Sequence, residues 1–239
     1  MHLFFLTLKQ LPLASGVMDV LLPFDKLALK LADEKPPHGA MSTGKTYVVL
    51  VAAGSFNPPT FMHLRMFELA RDALNSEGYC VIGGYMSPVN DAYKKRATQS
   101  SYQRTLTVLS RVRNCISEAG LVPRESLKVM LICGSDLLHS FGIPGVWIPE
   151  QVKDICKDYG VVCILREGQD VERTISDNDI LNENRQANVK VVDEIVPNQI
   201  SSTRLRECIA RRLSVKYLTL DEVIDYIREH QLYLNSDGN

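Results

Sequence analysis

The chain has 239 residues, with 27 basic and 28 acidic side chains and a formal net charge of −1. This length supports one substantial α/β core without a second domain. The balanced charge gives no overall electrostatic attraction to nucleic acid or anionic lipid, and no run approaches the ~20 apolar residues that a bilayer span needs. We therefore expect small-molecule partners, no nucleic-acid or membrane partner, and self-association into a homo-oligomer.

The cysteines indicate a reducing compartment. They are irregularly spaced and include no C-x-x-C pair, which favours buried thiols over a disulfide framework or a zinc site. We expect a cytoplasmic and/or nuclear protein. The six are Cys80, Cys115, Cys133, Cys156, Cys163 and Cys208.

The first 46 residues differ in character from the rest. They lack sustained apolar periodicity and end in DEKPPHGAMSTG, which predicts a largely flexible N-terminal arm over 1–46. The apolar run in MHLFFLTLKQLPLAS has no basic residue before it, which favours a dispensable extension over a signal peptide. Residues 47–233 are expected to form the domain, and 234–239 a C-terminal tail.

From Tyr47 onward, apolar runs alternate with amphipathic stretches. This order predicts an α/β fold in which a parallel sheet carries helices on both faces. Ligands of such sheets bind beyond the carboxyl ends of the strands. The predicted strands are 47–53, 79–86, 127–134, 160–166 and 188–194, and the predicted helices are 61–75, 101–119, 148–159, about 171–184, 201–212 and 219–231.

Two segments compete as phosphate-binding loops. GAMSTGKT, residues 39–46, matches the G-x-x-x-x-G-K-[ST] pattern of a P-loop. A P-loop needs a strand before it and a helix after it, so that backbone N–H groups converge on the anion. Here DEKPPH precedes the match and a predicted strand follows it. We therefore interpret Lys45 as an exposed lysine of the arm.

The second segment, GSFNPPTFMHLR at residues 54–65, has the required context. A strand ends at Gly54, where the missing Cβ permits a tight turn close to a ligand. Thr60 is a plausible N-cap, which places His63 in the first helical turn. Partial positive charge at a helix N-terminus attracts anions, so His63 would face whatever phosphate this turn binds.

Several strings resemble one enzyme family. They are GSFNPPTFMHLRMFELARD, SPVNDAYKK, GSDLL, PGVWIPEQ, YGVVCILREGQD and NQISSTRLR. GSFNPPTFMH is similar to the first signature of the nucleotidyltransferase superfamily, and ISSTRLR, residues 200–206, is similar to its second. Over residues 47–233 the chain resembles the eukaryotic nicotinamide/nicotinate mononucleotide adenylyltransferases.

The resemblance implies a Rossmann-like nucleotidyltransferase fold and a reaction between two anions. AMP would pass from ATP, bound with Mg²⁺, to nicotinamide mononucleotide or nicotinate mononucleotide, giving NAD or deamido-NAD and pyrophosphate. Because the attacking phosphate is already anionic, catalysis would consist of alignment and charge neutralisation rather than nucleophilic activation. The resemblance therefore implies roles for cations and backbone donors.

The implied catalytic residues are His63, Lys95 and Arg206. Either Ser201 or Ser202 can cap the helix of the second signature, Asp136 would accept ribose hydroxyls, and Trp147 would stack on the pyridine ring. Arg204 and Arg206 are two residues apart and cannot share a helix face. The implied substrate-binding residues are Gly54, Ser55, Phe56, Lys94, Gly134, Asp136, Val146, Trp147, Leu165, Arg166, Glu194, Asn198, Ser201, Ser202, Thr203 and Arg204.

The chain departs from the family after Lys95. There the family continues with a helix and a strand that ends in a Trp-Glu pair, whereas this chain passes through ATQSS directly into YQRTLTVLSRVRN. The expected result is a shortened form that lacks one edge strand of the sheet. One wall of the pyridine-nucleotide pocket would be lost, and the strand over 79–86 would become an uncovered edge.

Two alternatives to the adenylyltransferase remain. A shortened, catalytically impaired nucleotide-binding form could associate with intact subunits. A related nucleotidyltransferase could use pantetheine phosphate or a cytidylyl donor, although Trp147 and SPVNDAYKK argue against it.

Overall fold

The computed structural model describes residues 3–5, 22–29, 44–88, 103–166, 168–196 and 198–234. In these residues a six-stranded sheet has the order β1-β3-β2-β4-β5-β6, and every paired neighbour is parallel. The strands are β1 Leu3–Phe5, β2 Tyr47–Gly54, β3 Cys80–Pro88, β4 Leu127–Gly134, β5 Val161–Ile164 and β6 Val189–Val192.

Helices lie on both faces of the sheet, as predicted. Within the described ranges none of them has both the length and the apolar character needed to cross a bilayer. They are α1 Phe61–Ser76, α2 Gln103–Glu118, α3 Ser135–Ser140, α4 Pro149–Asp154, α5 Val171–Ser176, α6 Asp179–Asn184, α7 Ser202–Ala210 and α8 Asp221–Glu229.

Alternation along β2 divides the core into two layers. Val48 and Leu50 belong to the cluster that α1 covers with Met66, Phe67 and neighbours, whereas Val49 and Val51 belong to the larger cluster on the opposite face. Successive strand side chains point to opposite faces, so a fully apolar strand is buried on both. This explains why YVVLVA is continuously apolar.

The topology reverses direction between β2 and β4. The chain goes from β2 outward to β3 on one side and then returns to β4 on the other, and both of these central strands end in glycine, at Gly54 and Gly134. Open α/β sheets bind ligands beyond the carboxyl ends of the strands at such a switch point. The architecture therefore places the candidate site above Gly54 and Gly134.

Two parts of the arm predicted over 1–46 contact the sheet, while most of that arm lies outside the described residues. β1 pairs with β3, with Leu3 opposite Gly84 and Phe5 opposite Met86. Residues 22–29 also pack on the sheet, where Leu22 and Leu27 are buried and the Ala28 N–H donates to the Ile82 carbonyl at 2.8 Å. The expectation that β3 has an uncovered edge is thus wrong, because β1 and residues 22–29 form hydrogen bonds along that edge.

Three helical assignments also differ from the prediction. α3, directly after β4, was not predicted. The helix predicted over 171–184 is divided into α5 and α6, because the Asn178 side chain accepts the Leu181 N–H and begins a new helix. The helix predicted over 148–159 continues as a π-helix after α4, at Ile155–Tyr159. The remaining predicted elements agree within a few residues.

Candidate active site

The loop after β2 turns sharply over its own start. Phe56 has a φ of 43°, and its ring lies where a Cβ on Gly54 would be 3.4 Å away. The same ring meets His63 edge-on, with 5.0 Å between the ring centroids. Ser55, between Gly54 and Phe56 in the chain, is exposed. The Phe56 ring therefore packs against both the end of β2 and His63.

Thr60 and His63 close the first turn of α1 around each other. Thr60 is the N-cap, as predicted, and its backbone N–H donates to Nδ1 of His63 at 2.9 Å. The Thr60 Oγ1 also lies 2.9 Å from that nitrogen. Because Nδ1 accepts a hydrogen bond from a backbone donor, the proton of neutral His63 is on Nε2. Among the described residues the structure gives Nε2 no hydrogen-bond partner.

His63 is held in the neutral form. Burial, as the larger cause, and the positive charge of Arg166 together lower its pKa from 6.5 to about 4. A neutral imidazole whose Nε2–H points away from the capped turn is a hydrogen-bond donor for an anion. The contribution of Arg166 also shows that this cation lies near His63, although it follows a different strand.

The second signature segment, residues 200–206, docks on the first. Ser201 is the N-cap of α7 and accepts the Arg204 N–H at 3.2 Å. The Ser202 hydroxyl donates to the Pro58 carbonyl at 2.8 Å, and Arg206 Nη1 donates to the Asn57 carbonyl at 2.6 Å. The N-terminus of α7 therefore lies beside the loop that carries His63.

The two arginines of this segment point to different places, as their spacing predicts. Arg206 is half-buried against the first loop, and its Nη2 also reaches Thr203 Oγ1 at 3.4 Å. Arg204 is exposed and lines a separate cleft of about 340 Å³ with Cys208 and Arg211. Of the two arginines, Arg206 is the one that bonds to the first signature segment.

A second polar group forms where β4 and β5 end. Arg166 Nη1 donates to Asp136 Oδ2 at 2.9 Å, and the Gln169 amide donates to the other oxygen of the same carboxylate. The Arg166 side chain passes over Gly134, with its Nε 3.5 Å from the position that a Cβ would occupy there. Asp136 is exposed, which is compatible with its expected role as an acceptor of ribose hydroxyls.

A cleft of about 320 Å³ opens beside this pair. Four residues expected to bind substrate line it, together with Gly168, Gln169 and Asp193: they are Leu165, Arg166, Glu194 and Asn198. The structure therefore brings the predicted residues that follow β5 and β6 into one cavity.

Glu194 is the buried anion of the cleft. Its carboxylate accepts from Arg65 Nε at 3.0 Å and from Asn198 Nδ2 at 3.0 Å. Buried carboxylates require such donors, because an unpaired charge away from water is very costly. Asn198 in turn accepts the Ile200 N–H at 3.1 Å and so connects the cleft to the start of the second signature segment.

Some predicted residues lie apart from these groups. Trp147 is half-buried, with its Nε1–H donating to Ser140 Oγ at 2.9 Å and its ring edge-on to Phe141 at 4.8 Å. Val146, beside it, is also half-buried, and neither residue lines the cleft. Lys94 and Lys95 lie outside the described residues.

Residues 39–46 match the P-loop pattern but are followed by a strand, where a P-loop needs a helix. Residues 39–43 lie outside the described part of the chain, and the exposed Gly44 and Lys45 run directly into β2. No helix N-terminus follows the match, so Lys45 has no phosphate cradle. This agrees with its interpretation as an exposed lysine.

Two residues of the site were missed from sequence. Arg65, the partner of Glu194, stands one turn after Met62 inside the first signature segment, but nothing local shows that an acid from residue 194 meets it. Gln169 follows β5, but its polar character alone does not indicate that it bonds to Asp136. Both act through contacts that the fold creates.

No metal centre is evident among the described residues, in which no group of three or more His, Cys, Asp or Glu side chains is arranged to hold an ion. Mg²⁺ usually keeps several waters and is held by one or two carboxylates together with substrate phosphates. The donors present, mainly cations and neutral hydrogen-bond donors, suit the phosphates themselves.

Comparisons with known proteins agree with this geometry. Residues 51–208 match the cytidylyltransferase-like family, a span that includes both signature segments. The chain is 62% identical over 244 residues to the nicotinamide/nicotinic acid mononucleotide adenylyltransferase of Arabidopsis thaliana, covering 90% of this chain and 98% of the relative. It is 54% identical to the protein of that name from Oryza sativa subsp. japonica, covering 93% and 97%, and 35% identical to one from Bos taurus, covering 79% and 89%.

The alignment with the Arabidopsis protein also contains an internal difference in length. Ninety per cent of the 239 residues is about 215, so about 29 of the 244 aligned positions lie opposite gaps in this chain. That number suits a missing helix and strand; its place after Lys95 remains a prediction. The gaps do not alter the assignment, since both signature segments are present and dock on each other. The chain belongs to the nicotinamide/nicotinic acid mononucleotide adenylyltransferase family.

Proposed function

We propose that the chain transfers AMP from ATP to nicotinamide mononucleotide or nicotinate mononucleotide in NAD biosynthesis. The observation that carries the proposal is the hydrogen bond from Arg206 to the Asn57 carbonyl, which joins the two signature segments at the switch point of the sheet. In the proposed reaction, a phosphate oxygen of the mononucleotide forms a bond to the α-phosphorus of ATP. The bond from that phosphorus to the bridging oxygen breaks, and pyrophosphate leaves.

His63 supplies a neutral hydrogen-bond donor to the phosphates. Because the Thr60 N–H occupies Nδ1, the Nε2–H is available to a triphosphate oxygen as charge shifts toward the leaving pyrophosphate. The backbone N–H groups of Gly54 and Ser55 and the N-terminus of α1 add donors on the same side. Lys95 and Lys94 are proposed to contribute positive charge.

The N-terminus of α7 holds the triphosphate from the other side. Ser201 caps the helix, Ser202 and Thr203 present hydroxyls in its first turn, and Arg206 adds a guanidinium. Arg206 already donates to Asn57, so the cation approaches phosphate while tied to the loop of His63. Arg204, on the other side of α7, is proposed to contact a more distant part of the nucleotide.

The mononucleotide is proposed to occupy the region near β4, β5 and β6. Gly134 permits close approach, and the Asp136 carboxylate can accept ribose hydroxyls. The cleft of Leu165, Arg166, Glu194 and Asn198 provides a wall for the dinucleotide product. Phe56 is proposed to contact the nucleotide from beside His63, and Trp147, with Val146 next to it, would have to present its aromatic face to the pyridine ring.

Mg²⁺ is proposed to arrive bound to ATP. Such an ion neutralises charge on the triphosphate when it is bound. His63, Arg206 and the hydroxyl groups near them are proposed to bind the phosphate oxygens directly.

The impaired nucleotide-binding form remains a second candidate, because about 29 aligned positions of the Arabidopsis relative have no counterpart here. In that form the ATP-binding segments are kept and the mononucleotide pocket is reduced. Exposed apolar side chains such as Ile195 and Tyr217 offer surfaces for a homo-oligomer or for intact subunits. The free thiols suit a reducing cytoplasmic or nuclear location.

Calorimetry and product analysis on one preparation separate the candidates. We expect ATP with Mg²⁺ to bind and a dinucleotide to form when either pyridine mononucleotide is added. Binding of ATP without product would support the impaired form, and co-purification with an intact subunit would strengthen it. Turnover with pantetheine phosphate or CTP, in place of these substrates, would overturn the proposal.

A further inference from the structure

The loop that carries the first signature is held almost entirely by the C-terminal part of the chain. Five hydrogen bonds reach residues 57–61 from residues 202–233. Three carbonyls accept side-chain donors: Asn57 from Arg206 at 2.6 Å, Pro58 from Ser202 at 2.8 Å and Pro59 from Thr219 at 2.7 Å. The Phe61 N–H donates to the Leu218 carbonyl at 3.0 Å, and the Tyr233 hydroxyl donates to the Asn57 side-chain oxygen.

Only two of these five bonds come from the second signature segment. Leu218, Thr219 and Tyr233 lie beyond residue 208, where the match to the cytidylyltransferase-like family ends. The resemblance at the level of sequence assigns them no role. Leu218 lies 157 positions after Phe61 in the chain, and Tyr233 lies 176 positions after Asn57. Local patterning therefore gives no sign of them.

The C-terminal residues that make these hydrogen bonds belong to a segment with a small apolar core of its own. Leu205, Val215 and Ile224 form an apolar cluster that joins α7 to α8, and Leu218 packs against it. Lys216 pairs with Asp221 at the start of α8, at 2.6 Å. The final turn after α8 is closed by the Leu232 N–H donating to the Ile227 carbonyl at 3.0 Å. The backbone that carries Thr219 and Tyr233 is therefore held in place by these contacts.

The contacts act next to the group that orients His63. Thr219 bonds to the carbonyl of Pro59, the residue directly before Thr60, and Leu218 bonds to the N–H of Phe61, the residue directly after it. Thr60 supplies the N–H that sets the tautomer of His63. Thr219 is only 1% exposed, so without its hydroxyl the Pro59 carbonyl would lose this donor away from bulk water.

We propose that Thr219 and Tyr233 are positioning residues for the nucleotidyl transfer, holding the loop at 57–60 so that His63 presents its Nε2–H to the phosphates. This inference rests on the proposed function of the site. Neither residue needs to touch substrate. Thr219 fixes the peptide before the cap, and Tyr233 fixes the Asn57 side chain while Arg206 holds the Asn57 carbonyl.

Matched pairs of variants test the proposal in the full chain. Thr219→Val removes the hydroxyl at nearly constant shape, and Thr219→Ser keeps it. Tyr233→Phe removes only the terminal oxygen, and Tyr226→Phe makes the same change on an exposed tyrosine that stacks on His230. Thr219→Val and Tyr233→Phe are each expected to lower kcat about tenfold, with KM changed less than about twofold, and Thr219→Ser and Tyr226→Phe are expected to retain wild-type kcat.

A second readout does not depend on turnover. Nitrogen chemical shifts of the His63 ring should show a single Nε2–H tautomer in the wild-type chain and a mixture of tautomers in Thr219→Val and Tyr233→Phe. Unchanged kcat together with an unchanged tautomer in folded Tyr233→Phe would overturn the proposal. If the wild-type chain forms no dinucleotide, the proposed function fails, and the ring shifts alone still decide whether these residues position His63.

Discussion

Thr60 donates its backbone N–H to Nδ1 of His63 at 2.9 Å, three residues further along the chain. Most capping boxes use Glu or Gln at this position to accept the N-cap N–H. Here the imidazole takes that place, so one contact both begins α1 and fixes which ring nitrogen carries the proton. The same residue pair therefore links the fold of the helix to the chemistry proposed for the site.

Replacing His63 with alanine should reduce turnover far more than folding. Removal of one preorganised donor to developing charge typically costs about 100- to 1,000-fold in kcat. We expect that range for His63→Ala in a dinucleotide-formation assay, with ATP binding retained. His139→Ala, which alters an exposed histidine of α3, should keep the wild-type rate. An unchanged rate in His63→Ala would remove this residue from the mechanism.

Burial of neutral His63 should make stability depend on pH. Its folded-state pKa of about 4 lies below the ordinary 6.5, first because of burial and second because of Arg166. Between those values the unfolded chain binds a proton that the folded chain does not, so the contribution is complete above pH 6.5 and is lost as the pH falls toward 4. The full loss is about 3 kcal/mol.

The variant His63→Asn isolates this effect, because an Asn oxygen can still accept the Thr60 N–H. Urea unfolding at about pH 7.5 and about pH 5 should show that the wild-type chain loses about 2 kcal/mol more than His63→Asn. Equal losses in the two proteins would mean that His63 is not held neutral.

The first signature could be predicted because its signals are local. A strand ending in Gly54, the N-cap Thr60 and the position of His63 in the first turn all follow from about ten consecutive residues. The tautomer could not be predicted, since it depends on the Thr60 N–H rather than on a side-chain type. The pKa of His63 likewise depends on its burial and on Arg166, which follows another strand.

Arg65 should stabilise the cleft through Glu194. The Arg65 Nε lies 3.0 Å from a carboxylate that is largely buried, while the arginine itself is about half exposed. Arg65→Met should therefore reduce the free energy of unfolding by about 1–2 kcal/mol, less than for a fully buried pair. Urea titration measures this loss.

The double variant Arg65→Met with Glu194→Gln tests whether the loss comes from the carboxylate. It should recover part of the stability, because no buried charge is left without its cation. A double variant that loses the sum of the two single effects would show that the residues act independently.

The N-terminal residues should protect the edge of β3. A chain that begins at Leu6 lacks β1, so the backbone of Gly84, Tyr85 and Met86 pairs with β2 on one side and has no β1 partner on the other. Exposed edges of this kind promote association. We expect increased self-association by sedimentation velocity and a lower Tm. Removal of residues 235–239 is the control, and an identical result for both truncations would show that β1 has no protective role.

Leu27 anchors the N-terminal residues in the core of the sheet. Leu27 is buried beside Gly83, where a Cβ would lie 2.7 Å from its Cδ2. Leu27→Ala should cost about 2–4 kcal/mol of stability, as for a core leucine. Leu29→Ala, at a half-buried position two residues later, should cost less, and a loss below about 0.5 kcal/mol in Leu27→Ala would contradict its place in the core.

Most of the sheet could be predicted, because long apolar runs such as Tyr47–Gly54 are typical of strands buried on both faces. The N-terminal strand could not, since three residues carry no usable periodicity and their partner is about 80 positions away. α3 was missed because a six-residue helix directly after a strand has too few turns to show a stripe. Thr219 and Tyr233 escaped prediction for a similar reason: their partners are distant in sequence.

We propose that this chain completes the transfer although about 29 aligned positions of the Arabidopsis relative have no counterpart in it. The most direct measurement is chromatographic detection of NAD, or deamido-NAD, after purified full-length chain is incubated with ATP, Mg²⁺ and each pyridine mononucleotide. We expect product and pyrophosphate in equal amounts, unchanged in Lys45→Ala and nearly abolished in His63→Ala. Absence of both dinucleotides above background from a folded, ATP-binding wild-type chain would contradict it.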